Sequence, residues 1–195
     1  PLADGNKPGA RALEVFVYSP DRDGLFAAVT ASLDRLGLNV VAARVVTSTA
    51  GMSLDTFQVL APDNLSQAPD ALAQATERRL FEVLCRSLDR VRPSRRALPR
   101  HFRHFRVPVQ VEFGEAASGR TQLTLVCTDR PGLLADVAQV FRQQRLRVHN
   151  ARIATFGERV EDFFEITDEH DAPLVAEQPL QALRDALVAC VDGAR

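Results

Sequence analysis

The sequence contains no tryptophan, one tyrosine and one methionine, and Lys7 is its only lysine. A lysine confined to the N-terminal stretch excludes a P-loop, whose lysine reaches the phosphates of a nucleotide, and excludes Schiff-base catalysis. Charge of one sign is also missing: 24 basic and 25 acidic residues leave a net charge of -1, so no global field favours nucleic acid or an anionic membrane. No apolar run approaches the ~20 residues that a membrane-spanning helix needs, and no secretory leader is expected. The three cysteines, Cys85, Cys127 and Cys190, are odd in number and have no metal-ligand spacing. Each lies in an apolar helix or strand pattern, which predicts buried free thiols in a reducing cytoplasm.

The catalytic signatures GxSxG, HExxH and GxGxxG are absent as well. The chain opens without methionine on a polar stretch rich in Gly and Pro, Pro1 to Ala10. The expectation is a linker continuing from a longer protein, with any catalytic part outside this region.

What is present is a duplication. At an offset of 108 residues, Asp21, Arg22, Gly24 and Leu25 match Asp129, Arg130, Gly132 and Leu133. Leu38/Leu146, Val40/Val148, Ala43/Ala151, Arg44/Arg152 and Thr47/Thr155 follow in the same register. After the loss of one residue, Asp55 and Phe57 align with Asp162 and Phe164. Self-similarity of this kind marks a repeated structural unit.

Each copy has a readable order of elements. Glu14 to Tyr18 is a short apolar strand, and Leu25, Val29, Leu33 and Leu36 fall at helical spacing. Gly37 ends that helix. Val40 to Thr47 and Leu54 to Leu60 read as strands around a Thr49-Ala50-Gly51 hairpin. A long amphipathic helix then starts at Asn64-Leu65-Ser66, with Leu72, Leu80, Val83, Leu84, Leu88 and Val91 on one face. The second copy repeats this with strands 122–127, 147–155 and 160–167 and helices 132–144 and 178–191.

The predicted class is α+β: two ferredoxin-like βαββαβ units, with antiparallel sheets and helices on one face. The divisions are a linker over 1–12, a unit over 13–91, an Arg/Pro-rich linker over 92–106 and a unit over 107–195. Strand 107–113 (VPVQVEF) is open to either unit, and its short connection to strand 122–127 favours a hairpin within the second.

Residues 92–106, RPSRRALPRHFRHFR, interleave arginines with His101, Phe102, His104 and Phe105. Single-stranded nucleic acid can bind such a mixture. A solvated linker accounts for it more simply, and His101/His104 have no carboxylates nearby to complete a metal site.

Chemistry concentrates at the Asp-Arg-x-Gly-Leu turn. Asp21 and Asp129 are expected to cap the helices that follow, with Pro131 in the first helical turn and Gly24 and Gly132 permitting the turn itself. A helix N-terminus with a glycine in front of it also suits a carboxylate ligand. Asp21 or Asp129 would meet an ammonium group, and Asn39 offers a donor and an acceptor. These groups together suit a free amino acid.

Read along the chain, Asp23 goes with Asn39 in one copy and Pro131 with Arg147 in the other. The alternative that Asp21-Arg22-Asp23-Gly24 opens a Mg²⁺-dependent phosphatase site is opposed by Pro131 in the second copy and by the missing lysine.

The strand, the DRPGLL turn (Asp129 to Leu134) and the β-strand pair after it resemble the ACT domain, an amino-acid-sensing βαββαβ module. YSPDRDGLFAAV (Tyr18 to Val29), MSLDTFQVL (Met52 to Leu60), ARIATFGERVEDFF (Ala151 to Phe164) and the linker ending in HFRHF resemble the C-terminal region of the bifunctional uridylyltransferase/uridylyl-removing family. Those enzymes modify the nitrogen regulatory protein PII.

The resemblance implies that the ACT pair senses glutamine, which suppresses uridylyl transfer and favours uridylyl removal. It implies catalytic nucleotidyltransferase and hydrolase domains upstream, with any Mg²⁺ there and no cofactor in this region. It also implies contact with PII through the parent enzyme, ACT–ACT pairing within one chain or in a homodimer, and a cytoplasmic location. Asp21, Gly24, Leu25, Asn39, Asp129, Gly132 and Leu133 are the implied ligand-binding residues. Arg147 departs from the amide at Asn39, and Asp23 from the proline common in such turns. A purely structural pairing module is the competing reading.

Overall fold

The computed structural model describes residues 11–61, 68–86, 88, 91–94 and 107–193. Among the described residues, seven strands and four α-helices follow one another: β1 (Arg11–Pro20), α1 (Leu25–Arg35), β2 (Asn39–Thr47), β3 (Met52–Ala61), α2 (Pro69–Leu84), β4 (Gln110–Glu115), β5 (Thr121–Thr128), α3 (Leu133–Gln143), β6 (Arg147–Phe156), β7 (Arg159–Thr167) and α4 (Glu177–Asp192).

The strands form one antiparallel sheet in the order β1-β3-β2-β6-β7-β5-β4. The two copies therefore do not keep separate sheets. They join side by side through β2 and β6, where Ala43 pairs with Ile153, Arg44 with Arg152 and Val45 with Ala151. Arg44 and Arg152 are equivalent positions of the repeat, so a local twofold axis passes between them, normal to the sheet.

Alternation along the strands turns one side toward the helices, as in β3, where Ser53, Asp55, Phe57 and Val59 are buried. The other face stays open and carries exposed Phe16, Tyr18, Leu54 and Phe163. Helix α1 packs against α3 over the seam, with α2 outside α1 and α4 outside α3. Phe26 of α1 stacks on Phe57 (centroids 6.3 Å apart) and also meets the edge of Phe164 in the second copy (6.3 Å), which in turn meets Phe141 (5.0 Å). The buried residues of both units thus form one continuous core.

Strand β4 pairs with β5 through a tight hairpin. It occupies the outer slot of the second unit, and Val107 N–H donates to the Thr128 hydroxyl (2.9 Å) beside it. The first unit is β1-α1-β2-β3-α2 among the described residues. Both copies carry the same β-bulge early in their second strand, at Val40/Ala42 and at Val148/Asn150, as expected if local backbone irregularity is inherited with the repeat.

Helix α2 differs from its predicted extent. It begins at Pro69, where proline is tolerated in a first turn, and ends at Leu84. Leu88 and Val91 are buried all the same, so the apolar pattern continues past the end of this α-helix. Cys85 is exposed, against the expectation of burial, while Cys127 is buried and Cys190 half-buried. The proposed start Asn64-Leu65-Ser66 and the His101-Phe102-Arg103-His104-Phe105 stretch lie outside the described residues.

Candidate functional site

Two clefts lie where the strand-to-helix turn of one unit meets the other unit. The turns are built alike. Asp21 N–H donates to Gly51 O and Asp129 N–H to Glu158 O (both 2.8 Å), which ties each turn to the neighbouring hairpin. Leu25 N–H donates to Arg22 O and Leu133 N–H to Arg130 O. Gly24 (φ 79°) and Gly132 (φ 78°) are then the N-cap residues in the left-handed region, and no side chain caps either helix.

Helix capping by Asp21 and Asp129 is thus corrected. The left-handed glycine moves the helix start one turn away from the aspartates. Pro131 correspondingly precedes the cap rather than sitting in the first turn.

The glycines have a second constraint. A Cβ on Gly24 would stand 3.2 Å from Arg142 Cδ, and one on Gly132 would stand 2.9 Å from Asp34 Oδ1. Each turn is pressed against the end of the other unit's helix, so the missing side chain serves the packing of the units as well as the turn.

The arginine of the motif, to which the sequence assigned no structural role, has one. Arg22 Nη2 donates to Leu84 O at the end of α2 (2.9 Å). Arg130 Nη2 donates to Cys190 O near the end of α4 (3.4 Å), while Nη1 pairs with Asp136 at 2.6 Å. Each guanidinium links its turn to the carbonyl end of its own unit's second helix, where a cation is favoured. The matching of Arg22 with Arg130 in the repeat was the signal for a shared role.

The first cleft is open to solvent. Asp21, Gly24, Leu25 and Asp55 of the first unit line one side, and Arg142 and Arg147 of the second line the other. The second cleft sets Asp129, Gly132, Leu133 and Asp162 against Asp34 and Asn39 of the first unit.

The sequence-based pairing of the polar groups is therefore exchanged. Asn39 belongs with the Pro131 turn and Arg147 with the Asp23 turn, because the antiparallel β2–β6 seam carries the start of each second strand to the opposite unit's turn. Arg147 Nε pairs with Asp23 at 3.1 Å and its Nη1 with Asp171 at 2.8 Å.

On the floor of each cleft lies an aspartate from equivalent positions of the third strand of each unit. Asp55 and Asp162 are each 1% exposed. Asp55 Oδ1 accepts a hydrogen bond from the Ser53 hydroxyl, and its Oδ2 has no partner. Burial pushes Asp55 up to about 6, with the Ser53 bond opposing and Asp21 adding to the rise.

Neither oxygen of Asp162 makes a hydrogen bond of normal geometry. Burial raises its pKa well above the carboxylate range, the Ala154 amide offsets part of this, and Asp129 adds to it. Burial also raises Asp129, against the backbone and charge of Arg130.

The neighbouring thiols are poor nucleophiles. Burial, with Asp162 second, pushes Cys127 up to about 12, and burial pushes Cys190 up to about 11. His149 is buried with Nε2 2.7 Å from the Thr167 hydroxyl. Among the described residues, no group of three or more His, Cys, Asp or Glu side chains is arranged to hold a metal, and no helix is long and apolar enough to cross a membrane.

Residues 121–178 match the family profile of the ACT domain. The chain is 57% identical over 186 residues to a bifunctional uridylyltransferase/uridylyl-removing enzyme of Xanthomonas axonopodis pv. citri, a match covering 95% of this chain and 21% of the relative. It is 58% identical over 187 residues to the enzyme so named in Xanthomonas campestris pv. campestris (95% and 21%) and 42% identical over 180 residues to that of Methylococcus capsulatus (91% and 20%). The chain spans about a fifth of the length of these relatives.

Proposed function

Because the chain matches the ACT-domain region of the bifunctional uridylyltransferase/uridylyl-removing enzymes, we propose that it is the glutamine-sensing regulatory module of such an enzyme. On this reading it controls uridylylation of PII. Uridylyl transfer and removal, and any Mg²⁺ they use, belong to parts of the parent enzyme outside this chain, in the cytoplasm.

The observation that carries the reading is the composite build of the two clefts. Each combines a helix N-terminus and aspartates from one unit with a polar side chain, Arg147 or Asn39, from the other. An amino acid in either cleft would touch both units. Its affinity would then depend on how the units sit against each other, and such a difference in affinity between two arrangements is what coupling to distant domains requires. The α-carboxylate has the helix N-terminus as its partner, joined in the first cleft by Arg147. In the second, Asn39 offers donor and acceptor to the side-chain amide.

Calorimetry on this chain tests the reading. Glutamine is expected to give heat of binding and thermal stabilisation at millimolar concentration. Asn39→Ala should weaken the second cleft and Arg147→Ala the first, each by about five- to tenfold, the worth of one hydrogen bond. Absence of heat and of stabilisation would leave the alternative of a structural pairing module, which the shared sheet and core favour.

A further inference from the structure

We infer that Asp55 and Asp162 are specificity-determining residues that receive a cationic amine, so that each cleft takes only ligands with a free ammonium group. The inference rests on the reading of the clefts as amino-acid sites, and it identifies which group of the ligand is selected and by which residues.

The starting point is an imbalance in the interior. A carboxylate removed from water needs hydrogen bonds or a counter-charge. Asp55 and Asp162 are both 1% exposed, yet Asp55 Oδ2 has no hydrogen-bond partner, and Asp162, beside the Ala154 amide, makes no hydrogen bond of normal geometry through either oxygen. No ion pair of either residue is present among the described residues. Their nearest charged influence is another acid, Asp21 for Asp55 and Asp129 for Asp162. Arginines line both clefts, Arg142 and Arg147 in the first and Arg130 in the second, but none of them makes an ion pair with Asp55 or Asp162 among the described residues, and two carboxyl groups on one cleft wall make a site for a positive group.

The placement recurs. Asp55 pairs across the sheet with Val17 and Val45, and Asp162 pairs with Leu125 and Ile153. Each acid is thus set in an apolar row on the helix side, below the turn that starts α1 or α3. An apolar residue at these positions would pack at less cost. The same acid occupies both copies although much of the surrounding sequence has diverged.

Buried polar groups kept against stability concentrate at binding sites. The cation that fits is an ammonium rather than a metal, since among the described residues no three His, Cys, Asp or Glu side chains are arranged to hold a metal ion. A zwitterion would then lie with its carboxylate toward the helix N-terminus and its ammonium toward the floor.

The test uses calorimetry with glutamine, with N-acetylglutamine, which lacks the ammonium, and with the other standard amino acids. The proteins are the wild type, Asp55→Asn, Asp162→Asn and the double variant. Asparagine keeps the shape and removes the charge, and thermal melts verify folding.

Expected are binding of glutamine, loss of at least tenfold in affinity for N-acetylglutamine, and a similar loss at one cleft in each single variant and at both in the double. Should glutamine fail while another amino acid binds in an Asp55- or Asp162-dependent way, the glutamine reading falls and this inference stands. Binding of N-acetylglutamine as tight as that of glutamine overturns it. So does a double variant that binds within twofold of wild type, and so does the failure of every amine to bind.

Discussion

Asp55 lowers the stability of the fold at neutral pH, and the amount depends on pH. Its carboxyl holds a proton up to about pH 6 when folded and only to 3.8 when unfolded. Between those values the folded state binds the extra proton, so the stabilisation present below pH 3.8 is lost as pH rises through 6. The difference amounts to on the order of 3 kcal/mol. Asp55→Asn abolishes this dependence while keeping an oxygen for Ser53. The variant is therefore expected to gain stability over wild type progressively between pH 4 and 7, read as denaturation midpoints across that range. A constant offset at all pH values would show that the carboxyl does not titrate with folding.

The ends of elements carry two further expectations. Helix α1 closes on Gly37 at φ 85°, with Leu38 N–H returning to Leu33 O. Helix α3 closes in the same way, Leu146 N–H returning to Phe141 O, but the left-handed residue is Arg145 at φ 56°. A side chain there costs strain that glycine avoids. Its compensation is an ion pair with Glu169 at 3.4 Å between exposed side chains, a kind of contact that adds little.

Arg145→Gly should stabilise by about 1 kcal/mol and raise the melting temperature by roughly 2–4 °C. The opposite change at the other end of the helix is harmful. Gly132→Ala meets both a left-handed φ and Asp34 Oδ1 at 2.9 Å. It is expected to lose about 2–3 kcal/mol in chemical denaturation, because the obstacle is the facing unit and not a free loop.

At the scale of the molecule, the two units share a sheet and a core, so they should unfold together. Phe164 is the test residue. It is 1% exposed and touches Phe141 of its own unit and Phe26 of the other. Phe164→Ala should remove about 3–5 kcal/mol, and calorimetry should still record one transition with equal calorimetric and van't Hoff enthalpies. Two separated transitions would mean that the β2–β6 seam is a contact between independent domains. Cooperativity of this kind bears on sensing, since a ligand bridging the seam acts on a single body rather than on one of two loosely joined ones.

By itself the sequence determined the duplication, the order of elements within each copy, the ACT resemblance and the turn on which the clefts are built. All of these depend on residues close together along the chain: apolar periodicity, glycine at left-handed positions, β-branched runs. It did not show that Asp21 and Asp129 stand off from the helix starts, because a left-handed glycine resets a helix by backbone geometry that spacing does not report. Only the tertiary structure decided which residues share a cleft. The antiparallel seam between β2 and β6 brings Asn39 to Gly132 and Arg147 to Gly24, partners about a hundred residues apart. It also leaves Asp55, bonded to Ser53, and Asp162 on the cleft floors without an ion pair among the described residues. Burial and pairing are properties of the assembled neighbourhood, set by the packing of one unit against the other.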